Sequence, residues 1–133
     1  MEDNTINADE LASSIENILL NKEEELSNRE EINNITIKKV YAHYIHGYNV
    51  YMSIGIKEKY LNEKDVDLFD IIFDVIDKEE IVYVNGNFIL SNGENLNELI
   101  ISGKEDILLK IDSFINSCLK KYENVINDYI DYL

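Results

Sequence analysis

Asp67-Leu68-Phe69-Asp70-Ile71-Ile72-Phe73-Asp74-Val75-Ile76-Asp77 is the stretch whose reading decides the architecture. Its four aspartates recur at intervals of three, four and three, which on a 3.6-residue helix stacks the carboxylates in one narrow ridge. Leu68, Phe69, Ile71, Ile72, Phe73, Val75 and Ile76 take up the remaining arc. The pattern therefore predicts a central helix buried nearly all round except along its acidic strip. Like charges at such spacings cost about 0.2–0.5 kcal/mol per pair, and Asp is a weak helix former. A ridge kept at that cost points to use by something outside the helix.

Downstream, Ile81–Val84 and Asn87–Leu90 flank Asn85-Gly86, a strong short-range hairpin signal. Ser91-Asn92-Gly93 marks a further turn, and a short amphipathic piece carrying Leu96, Leu99 and Ile100 leads to Ser102, which with Glu105 has the spacing of a helix cap. Leu108, Ile111, Ile115, Cys118, Tyr122, Val125, Tyr129 and Tyr132 then alternate by three and four, predicting a helix over residues 104–132. Unbroken, it would run about 45 Å at 1.5 Å per residue, against a radius of gyration of about 14 Å for a chain of this size. Its apolar stripe must be covered by the first helix, the sheet or a second copy of the chain, and the expected oligomer contacts are Ile115, Tyr122 and Tyr129 of a homodimer.

Upstream, Asn7 with Glu10 resembles a capping box, and Leu11, Ile15, Ile18, Leu19 and Leu26 place one apolar face on a helix over residues 8–27. In residues 35–60, Val50, Met52, Ile54 and Ile56 alternate as on a strand and His46-Gly47 can turn the chain, so we read two antiparallel strands. The spacing of Ile37, Val40, Tyr41, Tyr44, Ile45 and Tyr48 also fits a helix. Together these elements predict a single α+β domain over residues 1–133. It comprises a small antiparallel sheet from two hairpins, an N-terminal helix, the buried central helix and the long C-terminal helix.

Composition narrows the function classes. The chain holds 27 acidic and 12 basic residues for a net charge of −15, and its one arginine is Arg29. Direct nucleic-acid binding, which relies on Lys and Arg against phosphate, is not expected. A basic protein partner, possibly itself nucleic-acid-binding and drawn in by electrostatic steering, is. The single cysteine, Cys118, excludes an intramolecular disulfide and a cysteine-based zinc site. No membrane-length apolar run and no signal-peptide pattern stand out, so a cytoplasmic setting is expected.

Asp67, Asp70, Asp74 and Asp77 are the first candidate partner-binding residues, because helical carboxylates about 5–6 Å apart approximate a phosphate backbone that a basic groove would track. A calcium loop over Asp65–Asp70 does not fit, since Phe69 falls at a ligand position and Asp70 where glycine is required. Tyr44, His46 and Tyr48, in a cluster with Tyr41, His43 and Tyr51, are the second candidates, tyrosine giving large contact area at little entropic cost. Cys118 reads as a small buried hydrophobe. No nucleophile with its base, phosphate loop, metal set or cofactor motif can be assembled. The expected function is a non-enzymatic acidic module, inhibitor-like or immunity-like, that occludes the basic surface of a nucleic-acid-processing protein. The alternative is a structural or regulatory subunit assembled through the C-terminal helix.

Overall fold

The computed structural model describes residues 7–61, 66–79, 81–103 and 106–130, with side chains through residue 127. It has an α+β layout in chain order: α1 (Ala8–Leu26), β1 (Ile32–Ala42), β2 (Gly47–Ile56), β3 (Leu68–Lys78), β4 (Ile81–Leu90), β5 (Asn95–Ser102) and α2 (Ile107–Ile130). The five strands form one antiparallel meander in the order β1-β2-β3-β4-β5. α1 lies against β1, β2 and β3, α2 against β5 and β3, and the two helices touch each other, so both occupy one face of the sheet.

The segment expected as the central helix is β3, the middle strand. Phe69, Ile71, Phe73 and Val75 are fully buried on the helix side, while Leu68, Asp70, Ile72, Asp74 and Ile76 are half-buried on the other. That is a period of two, and β-branched and aromatic side chains pack well on a half-buried pleated surface. The three-four-three spacing of the aspartates does not describe one face here. Asp70 and Asp74 share a side of the sheet, whereas Asp67 and Asp77 have the opposite parity and fall at or beyond the strand ends.

The expected pair of separate hairpins is replaced by the continuous meander. β1 and β2 pair antiparallel from Ile32↔Ile56 to Ala42↔Gly47, joined by a single helical turn at His43–Ile45 and by His46 in the left-handed region at φ 52°. Asn85-Gly86 is not a turn but the middle of β4, paired with Phe73 and Asp74. Gly86 is there for packing: a Cβ would stand 3.0 Å from the Phe73 ring and 3.1 Å from the Phe114 ring. The chain reverses instead around Glu79, at φ 54°. The amphipathic piece with Leu96, Leu99 and Ile100 is edge strand β5.

At the N-terminus, the Glu10 backbone N–H donates to Asn7 Oδ1 at 2.7 Å, capping α1. α2 begins at Ile107, so Ser102 belongs to β5, and Glu105 lies outside the described residues. At 24 residues α2 is about 36 Å long. Its stripe is covered by the chain's own sheet: Ile111, Ile115, Cys118, Tyr122 and Ile126 are fully buried. Tyr122 packs edge-on to Phe69 at 4.9 Å between centroids. Ile115 and Tyr122 are thus core residues with no surface to offer a second copy, and the side chain of Tyr129 lies outside the described residues.

One polar cluster locks this core. The Glu31 carboxylate, 2% exposed, accepts from Arg29 Nε at 2.8 Å and from the Tyr122 hydroxyl at 3.2 Å. Burial, and next the negative charge of Glu31, raise the Tyr122 pKa, keeping the phenol protonated as a donor. The guanidinium of Arg29 also sits over the Tyr122 ring, 5.7 Å from its centroid. The connection between α1 and β1 is in this way tied to the middle of α2.

Candidate functional site

Two helices cover one side of the sheet, and among the described residues nothing covers the other. That open face is read from the strand register. One row crosses it as Val40, Asn49, Asp74, Asn85 and Ile100, and the next as Lys38, Tyr51, Ile72, Asn87 and Glu98. A third contains Thr36, Ser53, Asp70 and Ile89. The surface is polar and apolar by turns, with two carboxylates on its central strand.

Both carboxylates are held by β2. Asp70 accepts from Ser53 Oγ at 2.6 Å, and Asp74 accepts from Asn49 Nδ2. Asn49 Oδ1 in turn accepts from the hydroxyl of Tyr44 at 3.2 Å. The relay Tyr44–Asn49–Asp74 therefore joins one residue from each of the two clusters read in the sequence. Burial raises the Asp74 pKa, and the Asn49 hydrogen bond opposes this only in part. Charge is being held where water is partly excluded, on a central strand where Asp is disfavoured.

The remaining candidates separate. On a strand Asp70 and Asp74 stand about 13 Å apart at 3.3 Å per residue, so the close carboxylate ladder of a helical phosphate mimic is absent. Asp67 uses its backbone, its N–H donating to Ser91 Oγ at 3.1 Å and its carbonyl accepting from Ile56. Tyr48 points to the helix side, edge-on to Tyr41 at 5.4 Å and beneath the Lys39 ammonium at 4.9 Å. Lys39 is itself drawn to α1, bonding Asp9 and donating to Ser13 Oγ at 2.8 Å. That bond is the main reason the Asp9 carboxyl is held below its usual range.

His46 and Asp77 both border a cavity of about 770 Å³ at one end of the open face, together with Ile76, Lys78, Glu79 and Tyr83. His46 makes no hydrogen bond to a carboxylate among the described residues. No group of three or more His, Cys, Asp or Glu side chains converges among the described residues, and no described helix is long and apolar enough to cross a membrane. Cys118 is buried on α2, and burial pushes its thiol up to about 11, away from a reactive thiolate.

Comparison with known protein families, characterised proteins and solved structures gives no match. Asn49 and Ser53, which hold the two aspartates, were not singled out in the sequence. The signal that would have found them is the parity of β2: once Val50, Met52, Ile54 and Ile56 are assigned inward, Asn49, Tyr51 and Ser53 must face outward together.

Proposed function

We propose that this chain is a non-enzymatic acidic binding module, inhibitor-like or immunity-like. In this reading it seats the basic surface of a protein partner, one that itself handles nucleic acid, on the open face of its sheet. The observation that carries the reading is the pair Asp70 and Asp74, fixed by Ser53 and Asn49 on the central strand of an uncovered face in a chain of net charge −15. Preorganised carboxylates meet Lys and Arg at lower entropic cost than freely rotating ones, and the surrounding Tyr51, Ile72 and Ile89 supply the apolar contact that a purely charged surface lacks. Tyr44, 79% exposed and bonded to the same network, extends the surface toward the β1–β2 turn.

The test is capture from the native host's lysate by the unaltered chain and by an Asp70→Asn/Asp74→Asn variant. The amide oxygens still accept from Ser53 and Asn49, so the face keeps its bonds and loses only its charge. Recovery of a basic partner by the unaltered chain and its loss with the variant is the expected result. Equal recovery by both would remove the open face from the reading.

A further inference from the structure

A five-stranded open sheet has two free edges, and the two are not alike. β1 is bulged between Ile32 and Asn34, carries Lys38 and Lys39 side by side, and is overlain by α1 through the Lys39 contacts to Asp9 and Ser13. Bulges and lysines are the usual means of closing an edge to further pairing. β5 has one charged residue, Glu98, and carries Ile100 at 72% exposed. Beside β5, on the helix side, runs a groove of about 510 Å³ lined by Asn97 and Leu99 of the strand and by Leu109, Ser113, Phe114 and Ser117 of α2, with Lys110 of the same helix as its one charged lining residue. Leu109 is 69% exposed at its mouth.

The groove lies where the inward side chains of a sixth strand would fall. Ser113 and Ser117, one helical turn apart, leave the room. Its far end is closed, because Lys121 Nζ donates to the Leu96 carbonyl at 2.7 Å and Asn97 Nδ2 donates to Ser117 Oγ at 3.4 Å. The open length of edge is therefore Glu98–Ser102, whose outward backbone groups have no partner among the described residues. Alternate groups of an edge strand point away from its neighbour and can each take a ladder bond.

We infer that the β5 edge is a strand-addition site for an extended segment of a positively charged protein, whose alternate apolar side chains enter the groove beneath α2. Charge chooses this occupant over a second copy. Pairing β5 with β5 of another chain would bring together two molecules of net charge −15, whereas a basic segment is drawn by the field of the whole chain and lowers its net charge, its apolar side chains being the ones that pass Lys110 in the groove. The inference does not depend on the open-face reading, since the groove and the edge use none of Asp70, Asp74 or Tyr44.

The probe is a synthetic nine-residue peptide, Lys-Val-Thr-Val-Thr-Val-Thr-Val-Lys, compared with the same peptide N-methylated at every second residue so that charge and side chains persist while one edge of donors is lost. Amide chemical shifts should move at Glu98–Ser102 and at Leu109–Ser113. N-methylation should weaken binding roughly tenfold or more through the loss of two or three edge bonds. A Ser113→Trp variant, changed at an exposed position, fills the groove and should weaken it similarly while retaining the unaltered far-ultraviolet circular dichroism. Equal binding of both peptides, shifts confined to β1 or the open face, or no binding overturns the inference. So does a dimer of the unliganded chain that Ser113→Trp dissociates, which would make the second copy the occupant.

Discussion

Asp74 carries a cost that its neighbours do not remove. Its pKa is raised in the folded protein, chiefly by burial, so the native state binds the proton more readily than the unfolded chain does. The sign follows directly: above the raised value the charge opposes folding, and the penalty fades as pH falls through that value toward the ordinary 3.8. Asp74→Asn keeps an oxygen for Asn49 and should therefore be the more stable protein at pH 7. The gain should stay below about 1 kcal/mol because the carboxylate remains partly in water. Urea midpoints of the two proteins should converge as the pH is lowered toward about 3.5. A variant that gains stability and loses its partner would identify a charge retained for binding. Glu31 is the opposite case. Glu31→Ala strips the acceptor from Arg29 Nε and from the buried Tyr122 hydroxyl, and should cost about 2–4 kcal/mol in urea unfolding. Arg29 is still about a quarter exposed, which keeps the loss below that of a pair sealed on both sides.

β3 shows why parity, not charge spacing, governs this fold. An interval of four returns to the same side of a helix and equally to the same side of a strand, so Asp70 and Asp74 satisfy both readings. Only the apolar residues separate them, and Phe69, Ile71, Phe73 and Val75 leave no helical stripe that Ile72 and Ile76 do not blur. In α1 no such ambiguity existed, and the Asn7 cap and the apolar face were legible, with the end read at residue 27, one beyond Leu26. The periodicity of α2 was legible too, but the identity of its cover was not, because a stripe says that something must be buried without saying against what. Asn85-Gly86 misled for a related reason: a glycine needed for ring packing is written in the same letter as one needed for a turn. The β2–β3 pairing offers a direct check of the register. A Cβ on Gly47 would stand 1.9 Å from the Val75 carbonyl oxygen, which is backbone and cannot swing aside. Gly47→Ala should lower stability by about 2–3 kcal/mol or more and raise hydrogen exchange at the adjoining ends of β2 and β3. A neutral outcome would mean the strands pair in another register.

The chain carries twenty-seven acidic residues against twelve basic ones, and only Asp9, Glu31 and Glu123 are engaged in ion pairs among the described residues. The folded chain therefore repels itself, and it also attracts cations from a distance. Salt acts on these two effects with opposite results. Raising ionic strength from about 0.01 M to about 0.15 M shortens the screening length from about 30 Å to about 8 Å, which spans less than the molecule. Self-repulsion is relieved, so the thermal midpoint should rise by a few degrees over this range, as differential scanning calorimetry would record. Association with a basic partner depends on the same long-range field, so its on-rate should fall over the same range while its dissociation rate changes little. Stopped-flow measurement on the captured partner separates the two responses. Asp70→Asn/Asp74→Asn removes only two charges of fifteen in net terms, so it should leave the steering largely intact and act on the dissociation rate. A partner whose on-rate ignores salt, or whose loss in the variant lies wholly in the on-rate, would place the contact away from this face.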